Sequence, residues 1–106
     1  MADVLKLVRE AAQKKILFLP HAVSQMSHPD RMISISEVRE VITGGHVVED
    51  YPSDPRGHSC LLGGDTSEKR HVHVVCSPKD DYLAIVTAYI PSEDDWERGF
   101  RRRRKP

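Results

Sequence analysis

A chain of 106 residues is long enough for one domain with a modest core, and its composition, 30% charged and 39% hydrophobic, excludes an intrinsically disordered protein. The formal net charge is zero but uneven. The last ten residues, ERGFRRRRKP, hold six Lys or Arg and one Glu, a charge of +5, so the first 96 sum to −5. We therefore expect one domain over residues 1–106, with residues 98–106 as a flexible basic tail suited to phosphates or an acidic partner.

The sequence shows neither a signal peptide nor a membrane-spanning segment. The beginning of the chain is charged throughout and lacks the apolar region of a signal peptide. No apolar run approaches the roughly 20 residues that cross a membrane. The sequence therefore favours a cytoplasmic protein with no membrane partner.

The first half of the chain predicts helices. Apolar residues at steps of three and four indicate a helix over residues 2–14. The burst ILFLP indicates a short buried strand or extended segment, and HAVSQM a short helix starting at His21. The clearest helix is SISEVREVITGG, where Ser34 and Glu37 match a capping box and two glycines end the periodic pattern.

The second half predicts strands. Four β-rich segments, HVVEDY, HSCLLGG, RHVHVVC and YLAIVTAYI, are separated by short turns, so neighbours should pair antiparallel. The closing SEDDWERGFRRR looks like a short helix capped by Ser92. The predicted fold is α+β: N-terminal helices packed on a four-stranded antiparallel meander, then a short C-terminal helix with a basic tail.

Alternation along the third strand assigns its faces. Val72, Val74 and Cys76 make the better core face, so His71 and His73 should face the opposite side. The fourth strand is ambiguous. If the set that contains Ala84 packs on the helices, Thr87 and Tyr89 join the two histidines.

The histidine pair allows three interpretations. It binds a metal, with His46 or His58 as a third ligand; it performs acid–base chemistry near neutral pH; or it is the polar side of a half-exposed sheet. Two further expectations concern single side chains. Cys60 and Cys76 should be buried, reduced thiols rather than a disulfide, and Trp96 should cover the core.

The stretches HAVSQM…DRMISISEVREVITGGHVVEDY, GHSCLLGG, RHVHVVC, IVTAYIPSEDDW and FRRRR together resemble a family of small bacterial proteins of unknown function grouped with the RelE-like toxins. The resemblance covers residues 21–104. It implies a fold similar to RelE and to the barnase–colicin ribonucleases, and a ribonuclease toxin paired with an antitoxin protein. Its RNA substrate would include ribosome-associated mRNA.

The resemblance also implies the site. Its five catalytic positions are His21, Arg31, His73, Thr87 and Tyr89. In that scheme the two histidines share proton transfer, Arg31 steadies the phosphate, the two hydroxyls position the scissile group, and no metal or other cofactor is needed. The tail arginines would bind RNA: Arg101, Arg102, Arg103 and Arg104. The alternatives are a non-catalytic protein-binding module that uses the outer sheet face, and a metal protein that uses His71 and His73.

Overall fold

The computed structural model describes residues 3–105, and these residues form three helices and five strands. The helices are α1 (Val4–Lys14), α2 (Pro20–Met26) and α3 (Ile35–Gly44). The strands are β1 (Ile16–Phe18), β2 (His46–Tyr51), β3 (Ser59–Asp65), β4 (His71–Pro78) and β5 (Leu83–Tyr89). Each predicted helix and strand of the first 90 residues is therefore present, although Ala2, included in the first predicted helix, lies outside the described residues.

The sheet differs from the predicted meander. Its five strands lie in the order β1-β5-β4-β3-β2, and β1 runs parallel to β5. The amide of Leu83 donates to the carbonyl of Lys15 at 2.8 Å, and that of Leu19 to Ile85 at 3.0 Å. The prediction of four antiparallel strands is wrong because the ILFLP segment pairs with a strand some 65 residues away. Turn lengths between neighbouring strands carry no information on such a long-range pairing.

The predicted C-terminal helix is also wrong. Residues 92–105, which we call the C-terminal arm, form a series of turns. Gly99 and Phe100 have φ of 92° and 58°, values that cannot continue a right-handed helix. The chain reverses there, and Trp96 forms an antiparallel bridge with Arg103.

All three helices pack on one face of the sheet and share a buried apolar core with it. The capping box of α3 is confirmed, because the Glu37 amide donates to Ser34 Oγ at 3.0 Å while the Ser34 amide donates to Glu37 Oε1 at 3.1 Å. The core face predicted for β4 is confirmed by Val72, Val74 and Cys76. Along residues 3–105, no helix has the length and apolar content needed to cross a membrane.

A bulge in β5 settles the ambiguous face of that strand. Val75 pairs with Thr87 and Cys76 with Ile85, so Val86 is the extra residue. Leu83 and Ile85 face the helices before the bulge and Ala88 after it, whereas Ala84 lies outside that core. The condition under which Thr87 and Tyr89 were expected to join the histidines, packing of Ala84 on the helices, is therefore wrong. Thr87 and Tyr89 nevertheless lie on the same face as His73, because the bulge reverses the alternation.

The cysteines lie opposite each other on β3 and β4. Cys60 and Cys76 are both fully buried, their sulfurs are 3.9 Å apart, and both thiols are free. The expectation of buried, reduced cysteines is confirmed.

Candidate functional site

A row of polar side chains crosses the face of the sheet that does not carry the helices, which we call the outer face. The strand register aligns His46 on β2, Gly63 on β3, His73 on β4 and Tyr89 on β5. A Cβ at Gly63 would come within 3.1 Å of the His71 and His73 rings. The glycine therefore leaves the space in which these imidazoles lie.

His73 lies on the outer face as predicted, but the C-terminal arm covers it completely. Its exposed fraction is 0%, and the Trp96 ring stands edge-on to it with centroids 4.6 Å apart. Its Nε2 lies 2.9 Å from the Phe100 carbonyl oxygen, and its Nδ1 lies 3.1 Å from the Tyr89 hydroxyl. Because a carbonyl only accepts, Nε2 carries the proton, and Nδ1 accepts the hydrogen bond from Tyr89.

Burial also fixes the protonation states of this pair. Desolvation lowers the pKa of His73 to about 4, against the opposing effect of the Phe100 carbonyl, so the ring is neutral at pH 7. Burial raises the pKa of Tyr89 to about 12, so the phenol is neutral too. With its proton directed at His73, the Tyr89 oxygen has lone pairs left to accept a hydrogen bond from a bound molecule.

A cleft of about 480 Å³ brings together four of the five predicted catalytic residues. His21, Arg31, Thr87 and Tyr89 line it, together with neutral and acidic neighbours that include Gln25, Ser92, Asp95 and Trp96. His73 does not line the cleft; it lies behind the wall and contacts it through Tyr89. A neighbouring cleft shares Tyr89, Asp95 and Trp96 and adds three basic residues, Arg103, Arg104 and Lys105.

His21 enters the cleft from the first turn of α2. Pro20, which has no amide hydrogen to leave unpaired, occupies the first helical position. The bond from the Leu19 amide to Ile85 ties the start of this helix to β5, next to Thr87. The His21 side chain is exposed, so a substrate in the cleft can reach its imidazole.

Arg31 reaches the same cleft from the loop between α2 and α3. Its Nη1 donates to Gln25 Oε1 at 2.8 Å, which aims the guanidinium toward α2. Arg70 holds the loop from beneath by donating to the carbonyls of Arg31 and Met32 at 2.7 and 3.0 Å. The following residue, Met32, has a φ of 48°, so the loop depends on these contacts.

The support for Arg70 is a buried carboxylate. Glu37, 1% exposed, accepts from Arg70 at 2.6 and 2.8 Å and from Thr66 Oγ1 at 2.9 Å. The Arg70 hydrogen bonds hold the pKa of Glu37 at about 2, well below its usual value of 4.5. Glu37 therefore both caps α3 and anchors the Arg31 loop, a second role that the capping motif alone does not reveal.

The four arginines predicted to bind RNA have different surroundings. Arg103 pairs with Glu49 at 2.8 and 3.1 Å, and its guanidinium carbon lies 4.6 Å from the Trp96 ring centroid. Glu49 also accepts from the Tyr51 hydroxyl. Arg104 donates to the Glu93 carbonyl rather than to a carboxylate, and Asp94 and Asp95 line the same cleft. Arg101 and Arg102 are exposed, and Pro106 lies outside the described residues.

A third cleft, of about 490 Å³, lies on the other side of the arm. Its lining includes His46, His71, Asp65, Phe100 and Arg101. His71 Nδ1 lies 2.9 Å from Asp65 Oδ1, and the His46 and His71 ring centroids are 6.2 Å apart. The Nε2 atoms of both rings are buried without a hydrogen-bond partner in the structure.

Several of the residues that build these sites were missed by sequence reasoning. Gly63 contributes by having no side chain, Phe100 by its backbone carbonyl, and Asp95 by its position in a turn. None of these contributions produces a recognisable sequence motif. Arg70 was also missed, because its contact with Glu37 joins residues that are 33 positions apart. Within residues 3–105 no three or more histidine, cysteine or acidic side chains converge as a metal-ligand set. The His71–His73 metal pair is not formed either, since both nitrogens of His73 are engaged.

Comparison with known proteins gives one result. No curated protein and no solved structure matches the chain. Residues 18–90, which run from β1 to the end of β5, match a family described as a domain of unknown function, DUF4258. This match contains His21, Arg31, His73, Thr87 and Tyr89 and stops just before the C-terminal arm. The chain belongs to the DUF4258 family.

Proposed function

We propose that the protein is a ribonuclease that cleaves RNA without a metal ion, in the cleft formed by His21, Arg31, Thr87 and Tyr89. The observation that carries the proposal is the convergence of an exposed imidazole, a guanidinium and two hydroxyls from three separate segments on one cleft. These are the groups that a transesterification at phosphorus uses: a base, a phosphate ligand and hydrogen-bonding groups that orient the ribose.

The chemistry follows from the surroundings of each group. His21 takes the proton of the ribose 2′-hydroxyl, whose oxygen forms a bond to phosphorus as the bond to the 5′-oxygen breaks. His21 then returns that proton, through a water molecule, to the departing 5′-oxygen. The products are a 2′,3′-cyclic phosphate and a 5′-hydroxyl. Arg31 neutralises the charge that develops on the phosphate oxygens.

Tyr89 supplies selectivity for ribose in this proposal. Its hydroxyl proton is committed to His73 Nδ1, so its oxygen serves as an acceptor. A 2′-hydroxyl is the donor that RNA has and DNA lacks. It donates its single proton to Tyr89 when the RNA binds and turns that proton to His21 as cleavage begins. His73 thus acts as a positioning residue that fixes the direction of the Tyr89 hydroxyl, rather than sharing proton transfer with His21.

The test is cleavage of labelled RNA by the untagged full chain, in chelator, with and without translating ribosomes. We expect a 2′,3′-cyclic phosphate end, no cleavage of DNA, and a loss of about 10²–10⁴-fold in the His21→Ala variant. Tyr89→Phe should lose activity because it removes the ribose acceptor. His58→Ala, which alters a histidine that pairs with Asp50 away from the cleft, should keep it. Intact RNA under all these conditions, or equal activity of His21→Ala and the wild type, would overturn the proposal.

The proposal extends to a toxin held inactive by an antitoxin protein in the cytoplasm, as the resemblance to RelE-like toxins implies. Three exposed apolar side chains support a protein partner: Val23 at 50%, Met32 at 65% and Ile35 at 54% exposure. They flank the loop that carries Arg31, so a partner bound there would also block the cleft. Co-expression of the product of a neighbouring gene should suppress growth arrest by the wild type, and a Met32→Glu change should prevent that suppression.

A further inference from the structure

We propose that His46 and His71 form a binding site for a divalent transition metal such as Zn²⁺, separate from the cleft that contains His21. The two rings approach each other from β2 and β4, across Gly63 on the strand between them. This proposal goes beyond the ribonuclease proposal and does not depend on it.

The first argument is the state of His71. Asp65 Oδ1 lies 2.9 Å from its Nδ1, and a carboxylate accepts, so Nδ1 carries the proton and Nε2 has a free lone pair. Metal-binding histidines characteristically donate their second ring nitrogen to a carboxylate in this way, which fixes the tautomer and orients the ring.

The second argument is that two ring nitrogens on the outer face are buried without a hydrogen-bond partner in the structure. His46 Nε2 and His71 Nε2 are both shielded from solvent and have no partner in the structure. An unpaired buried nitrogen is unfavourable because it has lost its hydrogen bonds to water, so two of them on neighbouring rings are unusual unless a ligand satisfies both. A metal ion is smaller than a water molecule and accepts electron pairs from both nitrogens at once.

The third argument is geometry. Zn–N bonds of about 2 Å place the centroids of two imidazole ligands roughly 5–6 Å apart. The ring centroids here are 6.2 Å apart with 45° between the ring planes, slightly beyond that range, so metal binding requires the two rings to move closer together. Imidazole nitrogen favours zinc, nickel and copper over magnesium and calcium.

The surrounding charges make the site sensitive to substitution. Asp65 contributes a negative charge that favours a cation, whereas Arg101, which lines the same cleft, opposes it. Two imidazoles supply only part of a coordination shell, so water fills the remaining positions. A bound metal would link the edge strand β2 to β4 and close the gap beneath Phe100, whose ring lies 5.2 Å from His71.

The test is Zn²⁺ titration of the full chain, made without a histidine tag, with calorimetry and competition against a chromogenic chelator. We expect one ion per chain, loss of binding in His46→Ala and in His71→Ala, and binding weakened about 10–100-fold in Asp65→Asn. Arg101→Ala should bind more tightly than the wild type. His58→Ala is the matched control, because it removes a histidine of another His–Asp pair and should leave binding unchanged.

A second measurement needs no variant that has to fold. In the wild type, Zn²⁺ should shift the NMR signals of the Nε2 atoms of His46 and His71 and leave those of His58 in place. It should also raise the unfolding temperature. Absence of binding at millimolar Zn²⁺, binding that survives both histidine replacements, or shifts confined to other histidines would overturn the proposal. RNA cleavage measured in chelator stays independent of all these outcomes.

Discussion

At the scale of single residues, the outer face carries one fully buried imidazole, His73, and two partly buried ones, His46 and His71, whereas one interpretation of the sequence made this face an exposed polar surface. His73 keeps both nitrogens hydrogen-bonded and loses its contact with water, so its neutral form is the folded form. The alternation of residues along β4 identified the face of the sheet on which His73 lies. It did not reveal that the C-terminal arm covers this face, because alternation gives the direction of a side chain and not what packs on it.

Burial of His73 predicts a loss of stability in mild acid. Its pKa is about 4 in the fold and 6.5 in the unfolded chain, so the unfolded chain binds the proton first as the pH falls. The neutral His73 side chain contributes at most about 3 kcal/mol to the free energy of unfolding. This contribution is complete above pH 6.5 and declines between pH 6.5 and 4. Burial also lowers the pKa of His46, which adds in the same direction.

Denaturant unfolding at a series of pH values measures this effect. The His73→Phe variant should be less stable at pH 7, since Tyr89 and Phe100 lose their partner, but it should lose most of the slope between pH 6.5 and 4. His28→Ala, a change at an exposed histidine, should retain the wild-type slope. A His73→Phe protein with an unchanged slope would contradict the assignment of this window to His73.

Glu37 predicts a separate window at lower pH. Its pKa is about 2 in the fold against 4.5, so its contribution is present above pH 4.5 and is lost as the pH falls toward 2. Glu37→Gln should lower the free energy of unfolding at pH 7 by about 3 kcal/mol, because Arg70 keeps its charge and loses its partner. The same variant should lose less stability than the wild type between pH 4.5 and 2, and the remaining loss comes from Glu49 and Asp54, whose pKa values are also lowered in the fold.

Urea unfolding at pH 7, 4 and 2.5 tests the Glu37 assignment. Glu10→Gln is the control, because Glu10 lies on the exposed side of α1 and should behave as the wild type does. A Glu37→Gln variant as stable as the wild type at pH 7 would show that the carboxylate does not anchor the Arg31 loop.

At the scale of helices and strands, local signals were sufficient wherever the determinants lie within a few residues. The Ser34–Glu37 capping box and the alternation Val72, Val74, Cys76 both act within one element, and both were predicted correctly. The pairing of β1 with β5 and the turns of the C-terminal arm depend on distant partners. Acids followed by Trp96 read locally as a helix, although Gly99 ends any such helix within seven residues of Ser92.

Trp96 anchors the arm to the sheet, which gives a prediction at this scale. Its side chain is 2% exposed and packs on His73, outside the core formed with the helices. Trp96→Ala should destabilise the protein by about 3–5 kcal/mol, the usual loss for a buried tryptophan. It should also raise the pKa of His73 toward its ordinary value, because water then reaches the ring.

Circular dichroism in urea and NMR titration of the imidazoles follow the two effects of Trp96→Ala separately. Trp96→Phe should lose less stability, and Arg98→Ala, an exposed change in the same arm, should lose almost none. If His73 keeps its low pKa in Trp96→Ala, the arm is not what excludes water from it.

At the scale of the whole molecule, the cleft draws its residues from the start of α2, the loop before α3, and β5. The family resemblance implied His21, Arg31, Thr87 and Tyr89, and the fold brings these four to one cleft. The alternation along β4 assigned His73 to the same surface, but no local pattern predicted that residues 92–105 cover this side chain. The resemblance names the chemical groups of the site, whereas the exposure of each group depends on how distant segments of the chain pack together.

The distribution of charge over the molecule gives the last prediction, which concerns how salt weakens RNA binding. Arg104 and Lys105 line the cleft next to Tyr89, together with Asp94 and Asp95. Arg104 donates to a backbone carbonyl, whereas Arg103 is paired with the carboxylate of Glu49. A single-stranded RNA that follows this cleft would release counterions at Arg104 but hardly any at Arg103. Arg104→Ala should therefore reduce the slope of log affinity against log salt by roughly 0.7, and Arg103→Ala by much less.

Fluorescence anisotropy of labelled RNA over a range of salt concentrations measures both slopes. Equal slopes for the two variants would mean that RNA does not run along this cleft, because Arg104 and the paired Arg103 would then contribute equally to RNA binding.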